Sequence, residues 1–104
     1  MGQPEELGDF TEHEKGEIRQ AIRQLENQIA EGFRLTSEEM GVVHGRFEYL
    51  EAALDRLNRF DWSGLVLQIW ISIVVNLSFD TEKGKQLFEL FRAAFSGTLQ
   101  LLKQ

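Results

Sequence analysis

Two histidines, His13 and His44, are the side chains of this 104-residue chain that could exchange protons near neutral pH. Catalysis or metal binding would require partners at fixed spacings. A di-iron bundle carries Glu-x-x-His pairs, and a zinc protease carries His-Glu-x-x-His on one helix. Neither pattern occurs. His44 has Glu48 four residues on, which reads as a boundary histidine bonded to a carboxylate. Glu38 and Glu39 form a carboxylate pair, but a place in the first turn of a helix accounts for both through capping and the helix dipole. An enzyme built on Glu38, Glu39 and His44 is therefore the most distant reading. A non-catalytic protein without metal or cofactor is expected.

Composition narrows the classes further. The chain has no cysteine, so disulfides, thiolate metal sites and cysteine nucleophiles are excluded. A reducing cytoplasm suits it. The acidic start, Met1 to Glu6, lacks the basic and apolar regions of a signal peptide. The net charge is −6, and the acidic excess lies in residues 1–40. Lys15, Arg19 and Arg23 form a helical stripe, but Glu12 and Glu26 adjoin it. No basic surface exists to replace counterions on phosphates, so nucleic acid is not an expected partner.

The elements that carry these residues are helices. Residues 1–10 hold the only proline, lack periodicity and read as a mobile acidic arm. A capping box, Thr11 with Glu14, starts helix 1 over residues 11–31. Its apolar positions Ile18, Ile22, Leu25 and Ile29 alternate four-three, as in a coiled-coil seam. Gly32 is expected to end it. Thr36 with Glu39 forms a second box, stapled by Leu35 and Met40, and opens helix 2 over 36–60. Its seam runs Met40, Val43, Phe47, Leu50, Leu54 and Leu57. The short link predicts an antiparallel hairpin of helices 1 and 2. A weaker stripe, Val42, Tyr49, Ala53 and Phe60, implies that helix 2 packs on two sides. Gly41 and Gly45 form a GxxxG pair within it.

Asp61 is the expected cap of helix 3, a run over 62–79 without a charge. Asp80 is the expected cap of helix 4 over 80–103, with a broad apolar stripe including Leu87, Phe88, Phe91, Phe95, Leu99 and Leu102. Glu89 and Arg92 lie off that stripe and can pair. Gly97 is an interior weak point, and Lys103 suits the negative pole of the dipole. The fold expected is all-α: four helices in residues 11–104, one domain.

Helix 3 sets the functional question. It is apolar on most of its circumference, with one polar ladder at Gln68, Ser72 and Asn76. A helix of this kind is normally central in its fold, but a chain so short covers it only by very complete packing. The favoured reading is a small assembly protein that self-associates through helices 3 and 4. Its interface would draw on Trp62, Leu65, Gln68, Ile69, Trp70, Ser72, Ile73 and Asn76 from helix 3. Phe88, Phe91 and Phe95 would join from helix 4. The acidic helix 1 and arm would stay exposed, open to a basic protein partner. The alternative inserts Trp62 to Phe79 into a membrane, because eighteen uncharged residues reach the threshold for a span.

Overall fold

The computed structural model describes residues 9–96 and consists of four α-helices. They are α1 (Glu12–Phe33), α2 (Ser37–Ala53), α3 (Arg59–Asn76) and α4 (Thr81–Phe95). α1 packs against α2 and α4, and α3 likewise packs against α2 and α4. Short links make neighbours antiparallel, so the bundle runs up-down-up-down. The cross-bundle contacts agree. Glu14 at the start of α1 meets Arg59 at the start of α3, and Phe33 at the end of α1 stacks on Phe79 just after α3.

Both capping boxes form. Thr11 accepts from the Glu14 N–H while Glu14 accepts from the Thr11 N–H, and Thr36 and Glu39 repeat the arrangement. α1 continues past Gly32 to Phe33 and ends on Arg34, which takes the left-handed conformation with φ 52°. The glycine stays helical. Ile18, Ile22, Leu25 and Ile29 of α1 are buried, as are Val43, Phe47, Leu50 and Leu54 on the α2 side. Met40 and Leu57 are half-buried against the same core.

The junction of α2 and α3 departs from the expected boundaries. α2 stops at Ala53, seven residues short of 60, and α3 starts at Arg59, three residues before 62. The i→i−4 ladder fails at Leu54, whose N–H turns to the Glu51 carbonyl at 3.1 Å. Asn58, not Asp61, is the cap, and its side chain accepts from the Asp61 N–H at 2.8 Å. Asp61 instead sits in the first turn, where it suits the dipole. α3 therefore includes Arg59 and Asp61 and is not free of charge. Among the described residues no helix is long and apolar enough to cross a membrane.

α3 ends at Asn76, with Ser78 left-handed at φ 55°. The Phe79 N–H donates to the Val74 carbonyl and the Ser78 N–H to the Val75 carbonyl, the paired bonds of a Schellman motif. Asp80 caps α4 as expected, accepting from the Lys83 N–H at 2.8 Å. α4 is described to Phe95. The expected helical positions Gly97, Leu99, Leu102 and Lys103 lie outside the described residues, as do residues 1–8 of the arm.

Phe10 is a correction to the mobile arm. It is buried and packs edge-on against Trp62, with ring centroids 5.6 Å apart. Phe95 meets the same indole at 5.7 Å and 90°. A fully buried indole at the end of the bundle recruits a ring from each side, an arrangement that suits the aromatic quadrupole. Arg59 covers the outer side of Phe10 at 5.2 Å and binds Glu14, whose two oxygens lie 2.7 and 2.8 Å from one guanidinium nitrogen.

Candidate functional site

The residues that first suggested chemistry do not converge on a reaction centre. His13 pairs with Glu17 on the solvent side of α1. Glu38 is exposed, and Glu39 is spent in the capping box. His44 lies between two carboxylates: Nδ1 is 2.6 Å from Glu26 of α1, and Nε2 is 3.3 Å from Glu48. The Glu26 hydrogen bond, helped by the charges of both carboxylates, raises the His44 pKa above its ordinary 6.5. Glu26 is a partner that spacing along one helix could not reveal, because it lies on the neighbouring helix. Among the described residues no cluster of three His, Asp or Glu side chains is arranged to hold a metal.

The polar ladder of α3 has a local partner. Arg46 of α2 donates from Nε to Ser72 Oγ at 2.7 Å. Asn76 Nδ2 donates back to the Ser72 carbonyl at 2.7 Å and to its Oγ at 3.1 Å. The i, i+4 spacing drifts about 40° per step around a helix of 3.6 residues per turn. The ladder thus crosses from the outer surface at Gln68, which is exposed, to the border with α2 at Ser72. Ser72 settles a helix–helix boundary inside the chain, and Asn76, itself exposed, braces it from the next turn.

Much of the expected interface is core. Trp62, Ile69 and Ile73 of α3 and Phe91 and Phe95 of α4 are buried within the chain itself. Trp70 and Phe88 are half-buried against each other at 5.3 Å, and the Trp70 indole donates to the Gly84 carbonyl at 3.0 Å. Leu65 is half-buried against the core. α4 turns Lys85, Gln86, Glu89 and Arg92 outward, with Glu89 and Arg92 paired at 2.9 Å. Its outer surface is polar.

The unpartnered apolar surface is the opposite face of α3. Phe60 is 60% exposed, Leu67 41%, Ile71 51% and Val75 68%. Their spacing of seven, four and four places them on one face, within about 80° of arc. Gly64 falls on that face between Phe60 and Leu67, also exposed, and a Cβ added there would meet nothing within 4 Å. The result is a shallow groove of about 530 Å³ lined by Phe60, Gly64, Leu67 and Gln68 together with Leu57, Asp61, Ser63 and Leu65. Tyr49 of α2 is 54% exposed. It stands one turn beyond Arg46, on the flank of α2 that meets α3.

No family model matches the chain, and no curated protein or solved structure matches it either.

Proposed function

We propose that this protein is a non-catalytic assembly module that self-associates through the outer face of α3. The observation that carries this reading is the set of exposed large apolar side chains, Phe60, Leu67, Ile71 and Val75, on one face of one helix. Single exposed apolar residues are ordinary on a protein surface, but a contiguous apolar patch marks an interaction site. The helix itself supplies a second support. α3 buries Trp62, Val66, Ile69 and Ile73 on its inner face and repeats a comparable apolar spacing on its outer one. A helix apolar on most of its circumference is normally central in its fold, and the single chain covers only the inner face of this one. The remaining surface, acidic on α1, keeps the assembly solvated.

Sedimentation equilibrium in plain buffer tests the reading. A discrete multimer is expected, and Ile71→Asp should convert it to monomer with an unchanged helical circular dichroism spectrum. A monomer that persists up to roughly millimolar concentration, the range of weak complexes, sinks the proposal. Flotation of the monomer with lipid vesicles, abolished by Ile71→Asp, would assign the same face to a membrane surface instead.

A further inference from the structure

We propose that the occupant of the α3 groove is α3 of a second copy, lying antiparallel, so that Ile71 of each chain seats over Gly64 of the other. This rests on the self-association reading and gives it a geometry. A two-fold axis between Leu67 and Gln68 pairs positions whose numbers sum to 135. Phe60 then faces Val75 of the second copy, Gly64 faces its Ile71, and Leu67 and Gln68 each lie beside their own counterparts. The fit is one of knobs and holes. Ile71 projects from the surface, 51% exposed, and Gly64 leaves open space where a side chain would stand. The bulkiest ring, Phe60, meets the shorter Val75. A parallel pair would set Phe60 against Phe60 and Gly64 against Gly64, propping the helices apart at one point and leaving a void one turn on.

Charge and area agree with this occupant. Residues 62–79 contain no ionisable side chain, and Asp61, which also lines the groove, lies about 20 Å along the axis from its counterpart, so two copies of a chain with net charge −6 meet there without opposing like charges. Antiparallel packing also sets the positive pole of each helix near the negative pole of the other. A helix of 18 residues is about 27 Å long and about 10–12 Å across, and docking its outer face buries on the order of 400–500 Å² per partner, the size of a small interface. The amides of Gln68 can hydrogen-bond across the dyad, as polar residues do when they fix register.

The natural chain has no cysteine, so single cysteines report the geometry in the full-length protein. Gln68→Cys is expected to cross-link to itself under mild oxidation. Val75→Cys is not, because its counterpart lies about 22 Å away along the helix axis, beyond the Cα separation of ~7 Å that a disulfide tolerates. Val75→Cys should instead cross-link with Phe60→Cys when the two are mixed. Self-cross-linking of Val75→Cys overturns the antiparallel arrangement. So does a dimer of unchanged mass in which Gln68→Cys fails to cross-link. A second variant reads the groove independently. Gly64→Gln fills open space in the single chain and should leave its fold intact, while raising the dimer dissociation constant at least about tenfold, as expected of a filled central pocket. A dissociation constant within about twofold of the natural one excludes Ile71 from that groove. If the natural chain is monomeric throughout, it is the self-association reading that fails.

Discussion

The indole nitrogen of Trp62 donates to the backbone carbonyl of Leu50 at 2.9 Å in the interior of the bundle. That acceptor is free because α2 ends early. The Leu54 N–H, which would have bonded Leu50 in a continuing helix, turns to Glu51 instead. The last carbonyls of any helix need partners from outside it, and here a side chain of the next helix provides one. The break after Ala53 and the burial of a tryptophan are thus one arrangement.

Trp62→Phe should therefore cost more than its modest change in size suggests. The Leu50 carbonyl would be left buried without a donor, a penalty of about 1–3 kcal/mol, apart from the lost packing. In a domain of this length each kcal/mol lowers the melting temperature by roughly 4–8 °C. Chemical denaturation checks it, and a loss under ~0.5 kcal/mol would show that water reaches Leu50.

Ser78→Gly should stabilise the protein by about 0.5–1 kcal/mol. Ser78 holds the left-handed position of the Schellman turn, where a Cβ is unfavourable, and its two backbone bonds would survive the change. Ser78→Val should act in the opposite sense by about 1–2 kcal/mol. The urea midpoint distinguishes them. Equal midpoints for serine, glycine and valine would mean that the turn carries no strain.

Acid and base act on different joints of the bundle. The raised pKa of His44 means that its bridge to Glu26 contributes fully below pH 6.5, its ordinary value, and fades as pH rises through the folded value. Proton NMR of the imidazole should show a titration midpoint above 6.5, moved down by Glu26→Gln; a midpoint insensitive to that change would leave the bridge without effect.

Glu14 behaves oppositely. Burial opposes its ionisation, but the Arg59 guanidinium and the Thr11 N–H outweigh that and hold its carboxyl below the ordinary 4.5. Its contribution is present above pH 4.5 and lost as pH falls through the lower folded value. Melting curves of Glu14→Gln should converge with those of the natural chain as pH falls through that lowered value. A constant gap down to pH 2 would assign the difference to packing.

Gly45→Ala addresses the outer side of α2. Gly45 is mid-helix, exposed, and nothing lies within 4 Å of where a Cβ would stand. The substitution should raise stability by about 0.5–1 kcal/mol through helix propensity alone. Thermal melts across protein concentrations test this, and destabilisation only at high concentration would reveal a chain packed against that surface.

The two capping boxes were legible in the sequence because each satisfies backbone amides with neighbours three residues away, so no tertiary information is needed. The start of α3 was not. Asn58 and Asp61 are both good cap residues, three positions apart, and local chemistry does not choose between them. The choice falls to tertiary packing, since a helix that begins at Arg59 aims the Trp62 indole at Leu50. The outward face of α3 was equally hidden. Trp62, Val66, Ile69 and Ile73 recur at four-three-four spacing and Leu67, Ile71 and Val75 at four-four, both helical periods, so periodicity says that the segment is a helix but not which side faces in. Burial by α1, α2 and α4 decides it. Most of the expected interface accordingly falls on the side of the helix that the chain keeps for itself, while Gln68 and Asn76 stay exposed.

Phe10 and Phe95 bear on a different question, how the chain is wired. Both rings rest on the single indole of Trp62, so the entry to α1 and the exit from α4 lie side by side. The described chain is nearly a closed ring. A short linker joining those ends, with new termini opened between Arg34 and Leu35, would leave every helix and every N-cap in sequence, and such a rearranged chain should still fold.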